Sequence, residues 1–340
     1  MLARLFGGKY LDFIGRRRML LISLGASALL SLAYFAAGSL QALVLVQGLH
    51  GLAFGLGSTA VTTGALALIP PARRGEGAGY YGISTTLGSA LGPLTAVLVV
   101  GRFGDAALFW ATMCCGLAGF LVALAIRLPE REPSDDERRS LWSLHPSTLI
   151  DRSSLPISSI MLVAGLSFSG VLTFLNPYAD AEGLDPAAGL YFLVYATTVL
   201  LSRLVVGRLQ DAWGDNAIVY PLLMSLTAGM ALLVIAPSGW SLILSAVLVG
   251  LGFGAIMPTV QTIAVNVSQP NRVGLVISTF FLMTDIGVGA GPIVDGGLVT
   301  LIGYRGMFAV LAALPLLAVV LYYLVHGRRP RSVLRTSHPA

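Results

Sequence analysis

Two ionisable side chains stand deep inside apolar runs. Asp285 lies about eleven residues into the run 274–301, near the middle of a membrane-length helix at 1.5 Å rise per residue. An ionisable group at that depth costs at least roughly 2.5–3.5 kcal/mol and as a rule faces a cavity or a partner. The chemistry it offers is proton binding or substrate contact. His50 stands about nine residues into another run and ordinarily titrates near neutral pH, so it offers the same chemistry. Gln261 and Asn266 join them as polar candidates, with Thr262, Tyr191, Tyr195 and Asn176 nearby in type and setting. Asp295 falls nearer the end of its run and reads as solvated at the outer interface.

The other chemistries are poorly served. There is no HExxH, GxSxG or P-loop, and the intramembrane polar groups do not make a nucleophile-and-base set, so an enzyme is not expected. Gly55, Gly57 and Ala60 imitate a dinucleotide fingerprint, but inside an apolar run with no strand before it. Cys114 and Cys115 are vicinal and apolar in setting, which offers neither a disulfide framework nor a metal site. No cofactor or metal is expected.

The elements that must position these residues are membrane helices. The 340 residues are 56% hydrophobic and 11% charged, against about 25% charged in soluble domains. Windows of about 20 apolar residues, enough to span a bilayer, recur at 19–38, 42–69, 78–101, 106–127, 156–179, 186–206, 217–236, 241–267, 274–301 and 304–326. Ten spans of an all-α integral membrane protein are therefore expected. Arginines cluster in alternate connections, at Arg16 to Arg18, Arg73 and Arg74, Arg208, Arg272 and the tail from Arg328. The opposite connections hold only Arg102 and Arg305. The positive-inside rule turns the arginine-rich side to the cytoplasm, and explains the net charge of +5 without nucleic acid. Residues 129–155, mixed in charge with Pro and Ser, read as a cytoplasmic linker between halves at 1–128 and 156–327, with a cytoplasmic tail at 328–340.

The halves repeat. A shift of 199 residues lays Arg4 on Arg203, Gly8 on Gly207, Asp12 on Asp211, Gly15 on Gly214, Gly51 and Gly55 on Gly250 and Gly254, Arg73 on Arg272, Gly88 on Gly287, and Gly92-Pro93 on Gly291-Pro292. Eight of the 18 glycines in residues 1–104 land on glycine, against about two by chance from 40 in the chain. Parallel repeats of several spans mark transporters whose halves are related by an axis along the membrane normal. The second half carries two spans ahead of Arg203 that the first lacks ahead of Arg4. A six-plus-six plan with about 46 residues missing, a first span and most of a second, is the expectation.

These residues resemble the major facilitator superfamily over essentially the whole chain. "GGKYLDFIGRRR" is similar to its loop signature between the second and third spans, through Gly8, Asp12, Gly15, Arg16 and Arg17, with Asp215 and Asn216 replacing the basic pair in the echo. Gly79, Gly88 and Gly92-Pro93 resemble its antiporter signature, although Ala96-Val97 stand at the closing glycine pair. Val44 or Gln47 stands where the fourth-span signature carries arginine. The resemblance implies a proton-linked exporter of a small organic molecule, driven by the proton gradient and working as a monomer, with a non-transporting truncated remnant or an uptake permease as the alternatives. The near-total use of arginine over lysine, with Lys9 alone, points to a bacterial plasma membrane. It also implies a cytoplasmic latch in which Asp12 meets the helix start near Arg272, and Asp211 the helix start near Arg74. Gly88, Gly92, Pro93, Gly287, Gly291 and Pro292 read as helix-packing positions with a share in bending.

Overall fold

The computed structural model describes residues 2–126, 128, 130, 149–235, 238–269 and 272–328. Its elements are helices: α1 Leu2–Ile14, α2 Arg16–Ala36, α3 Leu40–Leu68, α4 Arg74–Phe103, α5 Asp105–Ala125, α6 Leu155–Ala181, α7 Asp185–Trp213, α8 Asp215–Ile235, α9 Gly239–Asn266 and α10 Val273–Tyr322. Among the described residues eight helices are long and apolar enough to cross a membrane. The last of these, a 55-residue stretch, is two helical arms meeting at Gly303. Residues 129 and 131–148 of the expected linker and 329–340 of the expected tail lie outside the described residues.

The repeat governs where helices start. Moved by 199 residues, α2 falls on α8 from end to end, α4 begins on the first residue of α10, and α3 begins on the first residue of α9. The turns repeat as well. Four of the five positive-φ residues are glycines paired by that shift, Gly15 (93°) with Gly214 (85°) and Gly104 (80°) with Gly303 (72°). Left-handed backbone is costly for any residue with a Cβ. A single such glycine therefore reverses or bends the chain between helices with no loop to speak of.

That economy corrects the reading of the N-terminal stretch. "GGKYLDF" was expected in a loop, yet α1 runs through it to Ile14, and the turn is confined to Gly15. The helix survives because Gly7 and Gly8 face close neighbours, where a helical backbone without side chains fits.

Contacts gather the chain into two compact units that draw on both sequence halves. One comprises Met1–Leu68, Gly88–Arg152 and Pro270–Phe281. In it α2 packs on α3 and α5, and α1 packs on α3. The other comprises Ile69–Leu87, Ser153–Gln269 and Leu282–Ala340. In it α7 and α8 pack on α9. Buried tyrosines find partners there: the Tyr178 hydroxyl donates to the Leu233 carbonyl at 2.6 Å, and the Tyr191 hydroxyl lies 3.3 Å from that of Ser245. A capping box starts α9, with Ser241 N–H on the Ser238 hydroxyl and Ser238 N–H on that of Ser241. Large apolar side chains such as Leu301, Ile293 and Trp240 point outward, as suits surfaces that face lipid.

Gly303 and Gly289 separate backbone strain from packing, since nothing lies within 4 Å of a Cβ built at either. Gly303→Ala should cost about 1–2 kcal/mol, the left-handed penalty alone. Gly289→Ala, at a helical φ, should stabilise by about 0.5–1 kcal/mol. Thermal unfolding of both variants in detergent checks the opposite signs.

Candidate functional site

The densest constellation of the sequence-derived residues lies where the first turns of α4 meet the end of α7. The Asp211 carboxylate accepts the Gly75 N–H at 3.0 Å and the Glu76 N–H at 2.9 Å. Those donors belong to the first turn of α4, which has no intrahelical acceptors and carries the positive end of the helix dipole. Arg208, one turn before Asp211, places its Nε 2.7 Å from Glu76 Oε1, and also bonds the Tyr80 hydroxyl. The guanidinium holds the Glu76 carboxyl below the ordinary carboxylate range, so this tie persists at neutral pH and is lost only as acid carries the pH through that lowered value. Arg74 donates from Nη1 to Asn266 Oδ1 at 2.6 Å, closing the side toward α9.

Glycine makes the approach possible. A Cβ on Gly207 would strike the Gly75 carbonyl, one on Gly75 would come 2.7 Å from Asp211 Oδ1, and one on Gly79 would come 2.7 Å from the Arg203 carbonyl. The helices touch backbone to backbone, which is what brings a short aspartate within reach of two amides.

The other unit holds the counterpart under the 199-residue shift. Gly8 packs on Ser278, whose hydroxyl donates to the Arg4 carbonyl, and a Cβ on Gly274 would come 2.9 Å from Leu11 Cδ2. These pairs map onto Gly207 with Gly79, Arg203 with Gly79, and Gly75 with the end of α7. Asp12 lies on α1, and its side chain is outside the described residues. Arg272 lies 3.4 Å from the buried carboxylate of Asp151, whose own N–H donates to Thr279.

Glu130 was not picked out from the sequence. It accepts the N–H groups of Arg16 and Arg17 at 2.9 and 3.0 Å, straddling the start of α2 as Asp211 straddles that of α4. Its separation of more than a hundred residues from Arg16 left no spacing to read. At the corresponding start of α8, Asp215 instead takes the His326 ring at 2.9 Å and the Gln210 amide at 2.9 Å. Asn216 donates to the Gly327 carbonyl and accepts from the Tyr322 hydroxyl. The loss of the basic pair in the echo thus gives α8 a different set of ties, to Gln210 of α7 and to Tyr322, His326 and Gly327.

The intramembrane candidates are distributed rather than clustered. Asp285 is half-buried on the first arm of α10. His50 is half-buried on α3, its ring centroid 6.0 Å from that of Tyr34, whose hydroxyl bonds Gln47. Gln261 is buried on α9, with its amide nitrogen lacking a hydrogen-bond partner among the described residues. Asn266 is exposed at the end of α9 and serves Arg74. Gly287 packs on the Leu162 carbonyl and Gly291 on Ser169, while nothing lies within 4 Å of a Cβ at Gly88 or Gly92. The Pro93 side chain is outside the described residues, and α10 passes through Pro292 without leaving helical φ and ψ.

Asp295 overturns its reading as a solvated residue. It is 1% exposed and takes Ser169 Oγ at 2.6 Å. Gly170 and Gly291 admit α6 so close to α10 that the carboxyl is enclosed, a consequence of helix approach that periodicity along α10 cannot reveal.

Comparisons with known proteins agree with this architecture. The Major Facilitator Superfamily model matches residues 1–239 and again 157–339. The staphylopine export protein of Staphylococcus aureus is 22% identical over 338 residues, covering 95% of this chain and 83% of the relative. The multidrug resistance protein MdtG of Salmonella paratyphi C is 27% identical over 322 residues, covering 92% and 78%. Among solved structures, the human organic anion transporter MFSD10 superposes with a TM-score of 0.79 at 21% identity, over 94% of this chain and 79% of that one. The transporter FucP superposes with a TM-score of 0.74 at 14% identity, over 97% and 87%. With its parallel repeat, its glycine-lined helix contacts and a family match across both halves, the chain belongs to the Major Facilitator Superfamily, a family of membrane transporters rather than enzymes.

Proposed function

We propose that this transporter exports a small organic molecule in exchange for protons, by alternating access across a bacterial plasma membrane. The observation that carries the reading is the Asp211 carboxylate on the Gly75 and Glu76 amides in the first turn of α4. It ties a helix of one sequence half to a helix of the other on the arginine-rich, cytoplasmic side. Opening that side for substrate requires the tie to break, and its strength fits the task. A carboxylate at a helix start stabilises by about 0.3–1 kcal/mol when exposed, and 1.4 kcal/mol is tenfold in an equilibrium. Such a latch biases the resting state without locking it. The names of the relatives, a staphylopine exporter and a multidrug resistance protein, support export as the direction. Asp285, half-buried within its span, is the group we assign to proton coupling or substrate contact, with His50 and Gln261 as further candidates. The proton gradient supplies the energy, no cofactor takes part, and the chain works as a monomer in the bilayer.

Two outcomes check this. Cysteines placed at Glu76 and Arg208, with Cys114 and Cys115 replaced by alanine, should cross-link readily in vesicles. Adding Asp211→Ala should slow that cross-linking several-fold, for a loss of about 1 kcal/mol typical of a helix-start acceptor. In vesicles holding ethidium as a probe, an imposed pH gradient should drive dye export by the wild type and not by a folded Asp285→Asn variant. Undiminished pH-driven export by that variant would remove Asp285 from coupling.

A further inference from the structure

The contact between Ser169 and Asp295 poses a question of proton count. Ser169 Oγ lies 2.6 Å from the Leu166 carbonyl oxygen and 2.6 Å from Asp295 Oδ2. Both distances are those of O–H···O hydrogen bonds. A serine hydroxyl owns one proton, and neither a carbonyl nor an ionised carboxylate can donate. Were Asp295 ionised, one of the two contacts would set oxygen against oxygen with no hydrogen between them, where water cannot compensate. A protonated Asp295 resolves both, its hydroxyl donating to Ser169 Oγ and Ser169 donating onward to Leu166.

The surroundings favour the neutral form. Ser169 is fully enclosed and Asp295 nearly so. A Cβ at Gly170 or at Gly291 would stand 3.6 Å from Asp295 Oδ2, and would also strike Leu311 or Ser169, so the two glycines are what allow the pocket to close. The titratable and charged side chains of α6 and α10 are Tyr178, Asp180, Asp285, Tyr304, Arg305 and Tyr322. None of them bonds or ion-pairs with Asp295: Tyr178 serves Leu233, Arg305 serves Glu182, and Tyr322 serves Asn216. Asp285 is ten residues earlier on the same helix, about 15 Å away at 1.5 Å rise per residue. With no cation bonded to it among the described residues, a carboxyl so enclosed in the membrane stays ionised only at a large cost.

We propose that Asp295 is a proton-binding site of this transporter, protonated while hydrogen-bonded to Ser169 and releasing its proton to water when α6 and α10 separate there, leaving a carboxylate. Its protonation rests on the hydroxyl's single proton. Its part in export rests on the proton-coupled reading above.

Infrared spectroscopy of the purified full chain in lipid vesicles at neutral pH tests the protonation through the carbonyl stretch of a neutral carboxyl. That band should be lost in Asp295→Asn, whose amide still donates to Ser169 and so preserves the packing. It should shift to higher frequency in Ser169→Ala, which removes the acceptor, and persist in Asp285→Asn. Absence of the band in the wild type, or its survival unchanged in Asp295→Asn, overturns the proposal. In the ethidium vesicles, Asp295→Asn should lose pH-driven export. Retained export overturns the carrying role while proton-coupled transport stands. A wild type that ignores the gradient overturns the coupled reading, and the carrying role with it.

Discussion

Backbone-to-backbone approach of helices at glycine is the constraint on which the rest of this structure depends. At Gly75 and Gly207 no Cβ can be fitted on the Gly207 side without striking the facing carbonyl. Only at that separation does a side chain as short as Asp211 reach the amides of Gly75 and Glu76. The same geometry, with serine in place of one glycine, sets α1 against the start of α10 at Gly8 and Ser278. At Gly170 and Gly291 the missing Cβ atoms instead make room for the side chains of Leu311 and Ser169, and the enclosed group is a carboxyl rather than a helix end. In a membrane, where lipid is as apolar as any side chain, such close contacts are a principal means of holding helices together.

The carboxylates at helix starts follow one physical rule in two places. Asp211 on α4 and Glu130 on α2 each accept two successive amides that have no acceptor within their own helix. A charge paired with a helix end rather than with a fixed cation is a tie of modest strength, and one that water can replace. That suits the proposed latch, which would form and break during transport, better than an enclosed ion pair, whose separation would strand a charge. The exposed Arg208 and the half-buried Glu76, beside Asp211, add direction more than strength.

Much of the fold was legible because the repeat is carried by glycines, and glycines mark where the backbone is special. The shift of 199 residues, read from letters alone, aligns α2 with α8 residue for residue and pairs four left-handed turns. Asp211 could be placed at the helix start near Arg74 because the family resemblance implies a latch there and the repeat carries the signature aspartate to this position. What could not be read depends on distance in space between residues far apart in the chain. Glu130 sits in a stretch whose mixed charges look like any linker. Asp295 has no acidic echo, since Ala96 stands at the matching position, and its enclosure comes from α6. The helical course of α1 was missed because two glycines and a lysine look like a turn until close neighbours are there to use the missing side chains.

Hydrogen exchange at the Gly75 and Glu76 amides is the most direct measure of the central claim, that a carboxylate latch at the start of α4 closes at rest and opens during transport. Followed by mass spectrometry in lipid nanodiscs, those amides should be protected in the resting wild type and exchange promptly in Asp211→Ala. In vesicles exporting dye under a pH gradient, the wild type should show a second, exchanged population at these amides. Equal exchange in all three conditions would contradict the latch.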